Sequence, residues 1–429
     1  MKKNFFHSAI FCMAMASCMG SMLTSCSDDD EKEKYQLKKE DISIKTDNES
    51  GNITAVVDQL IRIEVNSVND ENIVYQWFLG EEMISSTKNL EYMFNAAGEY
   101  TLTLRAASGT ISYDYNVNIV VKFEQGITPT PDEATAYVTK VLAYVPAPGQ
   151  FVNTMPQYKN GDTQDSMNEK VLNAIGNGKD GLITLGGFGG YVIVGFDHTI
   201  ENKAELCDFR IKGNSFTGSA EPGIILVAYD QNKNGKPDDN EWYEIAGSAY
   251  ENGENESWYN DAVKAGNDVK TYKNYEMTYY APKEEPNKAE KNYIKWEDNN
   301  GQSGYKEKNA FHSQPYFPQW IENDKLIFKG TRLPQNGINT STNPSSPHFV
   351  LYEFKYGYAD NAANSSNNCA IDIDWAVNAQ GQKIQLPGVD FIKIYTGVNQ
   401  ENGWLGENST EVGKIEDLHV LNENIPTIK

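Results

Sequence analysis

The chain has 429 residues, a formal net charge of −23 at pH 7 and five cysteines. So acidic a chain repels phosphate backbones, which excludes nucleic acid as a partner. Its 25 tyrosines, seven tryptophans and 34 glycines favour strands and loops, and its length predicts two or three domains.

Residues 1–25 are predicted to form a secretory signal. Lys2 and Lys3 precede an apolar stretch that is short and interrupted by small polar residues, so we interpret it as a signal rather than a membrane span. Residues 23–26 read LTSC and resemble a bacterial lipobox, which implies that Cys26 carries lipid. The following SDDDE resembles the surface-export signal of Bacteroidetes lipoproteins and implies an outer-membrane, cell-surface location, although an acidic spacer would read the same way.

The next segments predict a tether and a first domain. Residues 26–40 are polar and charged and predict a flexible tether. Over residues 41–124, β-rich runs alternate with Asn, Asp, Gly and Ser turns. VYQWFLG at 74–80 and FNAAGEYTL at 94–102 resemble a PKD domain, an immunoglobulin-like sandwich, which implies a core position for Trp77 and a spacer role. Residues 125–132, with their Thr-Pro repeats, predict a linker.

Residues 133–429 predict one long β-domain. The best helix runs from Ser166 to Ile175, with Ser166 as the N-cap and Glu169 completing a capping box. The glycines at 186, 187, 189 and 190 lie between two strand-like runs and predict a tight hairpin. Because no βαβ repeat is visible, the predicted fold class is all-β: a PKD/immunoglobulin-like sandwich followed by a larger jelly-roll-like β-sandwich with few short helices.

The clearest motif lies within IILVAYDQNKNGKPDDNEWYEIAG at 224–247. It meets the calcium-loop pattern at every required position, with strand-like rather than helical flanks. We predict a structural Ca²⁺ bound by side-chain oxygens and one backbone carbonyl; the alternative is an Asn/Gly/Asp turn without an ion. The predicted ligand residues are Asp230, Asn232, Asn234, Lys236 (through its carbonyl), Asp238 and Glu241.

Two cysteines, Cys207 and Cys369, remain in the folded part. In an oxidising compartment they could form a disulfide or stay as two buried thiols, and the sequence leaves both open. The chain contains no G-x-S-x-G elbow, H-E-x-x-H pair or Walker loop, and its four remaining histidines lack zinc-ligand spacing. We therefore expect a binding protein rather than an enzyme.

Aromatic residues mixed with Asn, Gln, Gly and Pro are concentrated between residues 255 and 320. Flat rings beside amide groups suit ligands with apolar faces and polar edges, such as sugars or corrinoids. Some of these rings must belong to the core. The residues in the most loop-like contexts, and hence the predicted ligand-binding set, are Trp258, Tyr259, Tyr316, Trp320 and Trp404.

Four segments carry a further resemblance: GGFGGYVIVGFDHTI at 186–200, SAEPGIILVAYDQNKNGKPDDNEWYEIAGS at 219–248, SGYKEKNAFHSQPYFPQW at 303–320 and FIKIYTGVNQENGWLGENSTEVGKIEDLH at 391–419. They resemble a family of surface lipoproteins of gut Bacteroidetes associated with vitamin B12 capture. The resemblance implies that cobalamin is a ligand, not a cofactor, and is passed to a TonB-dependent outer-membrane transporter. Glycan binding is the alternative, and a glycan-active enzyme is the third choice.

Overall fold

A computed structural model describes residues 35–46, 52–68, 70–124, 130–131, 133–343 and 345–428. The predicted signal, Cys26 and most of the predicted tether and linker lie outside these residues. Within the described ranges, no helix is both long enough and apolar enough to cross a bilayer.

Among the described residues up to 124, nine strands form the N-terminal part. Their bounds are β1 Ile42–Ile44, β2 Asn52–Val56, β3 Leu60–Ile63, β4 Val65–Ser67, β5 Val74–Leu79, β6 Glu82–Ser85, β7 Leu90–Met93, β8 Gly98–Ser108 and β9 Ile111–Lys122. A five-stranded sheet has the order β2-β9-β8-β5-β6, in which only β2 and β9 are parallel, and two small pairs, β1/β4 and β3/β7, accompany it. Trp77 is fully buried and donates its indole N–H to the Lys88 carbonyl at 3.1 Å, which confirms its core position.

This part of the fold begins before residue 41, where the sequence suggested a tether. Leu37 is buried in the core, and a 3-10 turn spans Lys39–Asp41. The Tyr35 hydroxyl donates to Asp41 at 2.6 Å. Residues 35–40 are therefore ordered because an apolar side chain in a polar segment finds a place in the core.

Among the residues described beyond the predicted linker, nineteen strands and two helices form the C-terminal part. Their bounds are β10 Lys140–Val145, α1 Gln164–Ile175, β11 Ile183–Thr184, β12 Tyr191–Glu201, β13 Leu206–Cys207, β14 Phe209–Ile211, β15 Gly223–Ala228, β16 Trp242–Ile245, α2 Tyr259–Ala265, β17 Tyr272–Tyr280, β18 Glu290–Asp298, β19 Ser303–Lys308, β20 Lys325–Arg332, β21 Gly337–Asn339, β22 Phe349–Leu351, β23 Ala370–Ile371, β24 Ala376–Val377, β25 Gly388–Thr396, β26 Glu411–Val412, β27 Ile415–Asp417 and β28 Ile425–Pro426. The predicted all-β class is confirmed.

A six-stranded antiparallel sheet of order β10-β12-β25-β15-β16-β24 is the central layer of this part. Its residues alternate between two cores, as the two-residue period of a strand requires. Ile225 and Val227 point into one core, while Ile224 lies in the other. That second core also contains Met277 and Phe328 from a four-stranded sheet of order β19-β18-β17-β20. Both faces of the central sheet are therefore covered.

Two local predictions need correction. The helix α1 begins at Gln164, and its N-cap is Thr163 rather than Ser166. Ser166 instead occupies the third helical position, where its hydroxyl accepts from the Thr163 N–H at 2.8 Å. A serine three residues inside the helix can complete a capping box just as the glutamate in the usual pattern does, which shifts the start by three residues.

The glycine-rich segment at 186–190 is not a hairpin. The strands on either side, β11 and β12, do not pair with each other: β11 pairs with β26, and β12 pairs with β10 and β25. Gly186 and Gly189 have φ of 67° and 84°, and a Cβ on Gly186 would lie 1.9 Å from the Ala147 carbonyl oxygen. Here glycine allows the chain to cross between sheets in close contact with neighbouring backbone.

Candidate functional site

The predicted cation loop, residues 230–241, connects β15 to β16, which are antiparallel neighbours with Ala228 paired to Trp242. The prediction that strands flank this loop is confirmed. The carboxylate of Asp230 lies inside the turn, where its two oxygens accept the backbone N–H groups of Asn234 at 3.0 Å and Gly235 at 2.8 Å. Gly235 has φ of 78°, the left-handed conformation that the sharp turn requires.

The end of the loop adds further oxygens. Glu241 is buried, and its two oxygens accept the N–H groups of Gln231 at 3.1 Å and Asp238 at 2.9 Å. Burial raises the pKa of Glu241. Asp238 accepts the side-chain amides of Asn232 at 2.6 Å and Asn234 at 2.9 Å. Carboxylate and amide oxygens are the donors that Ca²⁺ prefers, so the kinds of residue present fit that ion.

The same loop contacts the N-terminal part of the chain. The side-chain amide of Gln231 donates to the Val57 carbonyl at 3.1 Å, and that of Asn240 donates to the Asn95 carbonyl at 2.9 Å. At the base of the loop, the Phe123 ring packs edge-on against Tyr229 and Tyr243, at centroid distances of 5.8 and 6.0 Å. The loop is therefore part of the junction between the two sandwiches.

Sequence reasoning missed this role. Gln231 and Asn240 occupy loop positions 2 and 11, which the calcium pattern leaves free, so only their polar character stood out. No pattern in the sequence indicates that these two side chains contact the N-terminal part of the chain.

Three of the five predicted ligand-binding aromatics are in the core. Trp258 packs edge-on against Phe354 at 5.0 Å and donates its indole N–H to a backbone carbonyl at 2.9 Å. Tyr316 packs against Tyr293 at 5.4 Å, and Trp320 stacks on Tyr144 at 5.7 Å. The expectation that these three rings face solvent is therefore wrong, because rings in turn-rich sequence can still point inward and bury a large apolar area.

The other two predicted aromatics lie nearer the surface. Tyr259 is the first residue of α2 and is partly buried. Trp404 is 55% exposed, and its indole N–H donates to the Pro347 carbonyl at 3.3 Å. Trp404 is thus the one predicted ring that is both largely exposed and tied to its surroundings.

Trp404 belongs to a group of loops joined by amide side chains. Asn309 donates to the Gln150 side-chain oxygen at 2.7 Å, and Gln150 donates to the Leu405 carbonyl at 2.6 Å. Asn309 also accepts the N–H of Phe311 at 2.9 Å, and the ring of Phe311 is 76% exposed. We call Phe311, Trp404 and the amide residues Gln150, Asn309 and Gln314 the aromatic surface.

The sequence contains only a partial signal for this surface. Phe311 lies inside the predicted aromatic-rich run, but Gln150 is more than 150 residues away in the chain and carries no local motif. The side-chain amide of Gln314 also donates to the Gln150 backbone carbonyl, which fastens a third loop to the same group. What the arrangement offers is two exposed rings on loops that amide side chains hold together.

The two cysteines of the folded part are free and buried. Strand pairing places Phe209 opposite Ile371 and Arg210 opposite Ala370. Cys207 pairs with Ile425 in a separate ladder, while Cys369 lies in the 3-10 turn before β23, where its thiol donates to the Ser366 carbonyl at 2.8 Å. Burial raises the pKa of the Cys207 thiol to about 12, which keeps it protonated and unreactive.

Comparisons with known proteins assign no family. No family model matches the chain, and no curated protein matches it. Solved structures with weak likeness include a quinonprotein alcohol dehydrogenase-like protein from Bacteroides thetaiotaomicron, with 11% identity over 22% of this chain and 20% of that one, and a TM-score of 0.15. Carbohydrate-binding modules of the β-sandwich superfamily match at 11% identity over 88% of this chain and 94% of theirs, with a TM-score of 0.16. A SusE-like protein matches at 9% identity over 88% and 97%, with a TM-score of 0.14. At these scores the likenesses carry no argument about function.

Proposed function

We propose that this protein is a lipid-anchored ligand-binding protein of the outer cell surface, and that its aromatic surface binds a glycan without converting it. The lipobox at Cys26 and the acidic run behind it support the location. The observation that carries the binding role is the exposure of Trp404 and Phe311 on loops fixed by amide hydrogen bonds.

The chemistry of this surface suits a sugar. A pyranose ring has apolar C–H faces that stack on flat aromatic rings, and hydroxyl edges that exchange hydrogen bonds with amide side chains. The Asn309–Gln150–Leu405 hydrogen bonds hold the two loops before any ligand arrives. A surface ordered in advance loses less conformational entropy on binding, so modest contact area can still give useful affinity.

The glycan ligand ranks ahead of a corrinoid because of where the predicted rings lie. A corrinoid is larger than a single sugar and would need a broad pocket, whereas Trp258, Tyr316 and Trp320, three of the five predicted ligand-binding rings, are core residues. What is left is an open surface, which resembles a sugar platform more than a deep pocket. Cobalamin, with delivery to a TonB-dependent transporter, is the ligand that the sequence resemblance favours, so the test includes it.

We further propose that residues 230–241 bind one structural Ca²⁺. The support is the fit between the motif and the observed turn, in which Asp230 and Glu241 already gather backbone donors. A bound cation would stabilise the loop and, through Gln231 and Asn240, the junction with the N-terminal sandwich. Its role is structural rather than chemical.

The binding proposal can be tested by affinity electrophoresis of the mature chain, made soluble by Cys26→Ser, in gels containing different polysaccharides. We expect at least one polysaccharide to retard the protein. Trp404→Ala and Phe311→Ala should abolish most of that retardation, since losing a true anchor costs about 1–3 kcal/mol, or roughly five- to 150-fold in affinity. Ile327→Ala is the control, because Ile327 is similarly exposed but lies on β20.

Two results would reject the proposal. Retardation that both aromatic variants leave intact would place the glycan site elsewhere. No retardation by any polysaccharide, together with heat on titration with cyanocobalamin, would favour the corrinoid ligand.

A further inference from the structure

A second group of oxygen ligands lies far from the cation loop in sequence. The side chains of Glu221, Asp360 and Glu411 each offer a carboxylate oxygen, and these oxygens lie within 4.8 Å of one another. Asp360 and Glu411 are 2% and 3% exposed, and Glu221 is partly buried. We call these three residues the acidic cluster.

The donors around the acidic cluster are all neutral. Asp360 accepts the backbone N–H groups of Asn214, Ser215 and Glu411 at 2.9 to 3.0 Å. Glu411 accepts the hydroxyls of Thr184 and Ser409 at 2.9 and 3.0 Å, and Glu221 accepts the Ser409 N–H at 2.9 Å.

The cluster therefore lacks compensating positive charge. Among the residues that the structure describes, no lysine, arginine or histidine side chain forms an ion pair or hydrogen bond with the three carboxylates. A fourth acid, Glu407, adds its negative charge to the fields acting on Glu221 and Glu411. Buried charges of one sign are strongly unfavourable unless a counter-charge or protons neutralise them.

An independent observation points to a cation. The hydroxyl oxygen of Ser215 has no hydrogen-bond partner, although the residue is only 6% exposed. The N–H of the same residue binds Asp360 at 3.0 Å, so the hydroxyl is held close to that carboxylate, yet the two do not hydrogen-bond. Oxygens that share one calcium ion lie up to about 5 Å apart, which is beyond hydrogen-bond range. The three carboxylate oxygens fit that spacing, and the unpartnered hydroxyl of the residue bonded to Asp360 supplies a further oxygen.

The backbone leaves room at this point. A Cβ on Gly213 would lie 2.1 Å from Asp360 Oδ1 and 2.9 Å from the Glu411 carbonyl oxygen. Only glycine allows Asp360 to reach this position beside Glu411.

We propose that Glu221, Asp360 and Glu411, with the Ser215 hydroxyl, bind a divalent cation of the calcium class. The donors are hard oxygens without nitrogen or sulfur, which favours Ca²⁺ over zinc or copper. A cation at this site would hold the C-terminal end of the 403–411 segment in place, because Glu411 is the last residue of this segment. Trp404 lies near the start of the same segment. The cation site is independent of the 230–241 loop and does not rest on the glycan proposal.

The test measures calcium stoichiometry by equilibrium dialysis in a loop-deficient protein, Asp230→Ala with Glu241→Ala. This protein should still bind about one Ca²⁺ per chain, since the acidic cluster is intact. Adding Glu411→Gln or Asp360→Asn, which keep the shape and remove the charge, should abolish the remaining binding. Glu256→Gln is the matched control, because Glu256 is another buried acid outside the cluster.

If the added substitutions prevent folding, the loop-deficient protein itself decides: calcium should raise its melting temperature relative to chelator. The proposal is overturned if this protein binds no calcium at millimolar concentration and melts identically in chelator. It is also overturned if Glu411→Gln retains full calcium binding. If protons rather than a cation neutralise the cluster, Glu411→Gln should raise the melting temperature of the loop-deficient protein both in calcium and in chelator, and this result would also overturn the proposal.

Discussion

Removing a ligand from the 230–241 loop should make the protein insensitive to calcium at that site. Asp230→Ala deletes the first ligand and two hydrogen-bond acceptors that hold Asn234 and Gly235. The loss of stability therefore has two parts. The part caused by the missing hydrogen-bond acceptors is present in chelator and in calcium, whereas the part caused by the missing calcium ligand appears only in calcium.

The two parts can be given magnitudes. Leaving backbone donors of a partly exposed turn without their acceptor costs about 1–3 kcal/mol with or without calcium. The calcium-dependent part follows from mass action: at roughly ten to a hundred times Kd, the ion stabilises the folded state by about 1.4–2.7 kcal/mol. Sites of extracellular modules have Kd on the order of 0.1–1 mM, so about 10 mM calcium is the appropriate concentration.

The assay is thermal unfolding of wild type and Asp230→Ala in calcium and in chelator. The difference in melting temperature between wild type and Asp230→Ala should be larger in calcium than in chelator by about 3–10 °C, since each kcal/mol shifts the melting temperature by roughly 2–4 °C. Asp239→Ala is the matched control, since it removes the same charge from loop position 10, which is not a ligand position. If the difference between wild type and Asp230→Ala is the same in calcium and in chelator, the loop binds no calcium.

Three further outcomes are expected. Thiol labelling of unfolded, unreduced mature Cys26→Ser protein should find two free thiols, from Cys207 and Cys369; finding none would show a disulfide. Burial disfavours protonation of His198, but its hydrogen bonds to Asp417 and Asp197, at 2.7 and 2.8 Å, outweigh burial and raise its pKa. The stability from this pair is thus fully present below the unfolded pKa of about 6.5 and is lost as the pH rises through the folded value. Urea unfolding should show this loss in wild type and a flatter profile in His198→Asn, and equal profiles would refute the charged pair. Trp320→Ala should cost about 3–5 kcal/mol of unfolding free energy, whereas Trp404→Ala should change it by less than about 0.5 kcal/mol; similar costs would contradict their assignment to core and surface.

The sequence predicted those features that depend on residues close together in the chain. The β-branched and aromatic residues of IILVAY predicted a strand, and the spacing from Asp230 to Glu241 predicted the turn that the structure shows. Trp77 was correctly placed in the core because a tryptophan in the middle of an apolar strand has few other places to go.

The predictions that failed concern features that depend on contacts between distant segments of the chain. Whether Trp320 faces inward is decided by Tyr144, which lies far away in the chain. The pairing of β11 with β26 turned a predicted hairpin into a crossover. The acidic cluster joins residues from three separate regions, and no spacing rule links 221, 360 and 411. In a chain with 60 acidic residues, such proximity cannot be separated from chance until the fold is known.

The glycan proposal requires that Trp404 lie at the ligand-binding surface. Its most direct test is isothermal titration calorimetry of the mature Cys26→Ser protein and its Trp404→Ala variant, with oligosaccharides from any polysaccharide that retards the protein and with cyanocobalamin. We expect heat with an oligosaccharide, at least roughly fivefold weaker binding by the variant, and no heat with cyanocobalamin. Equal oligosaccharide affinity in the two proteins, or heat with cyanocobalamin alone, would contradict it.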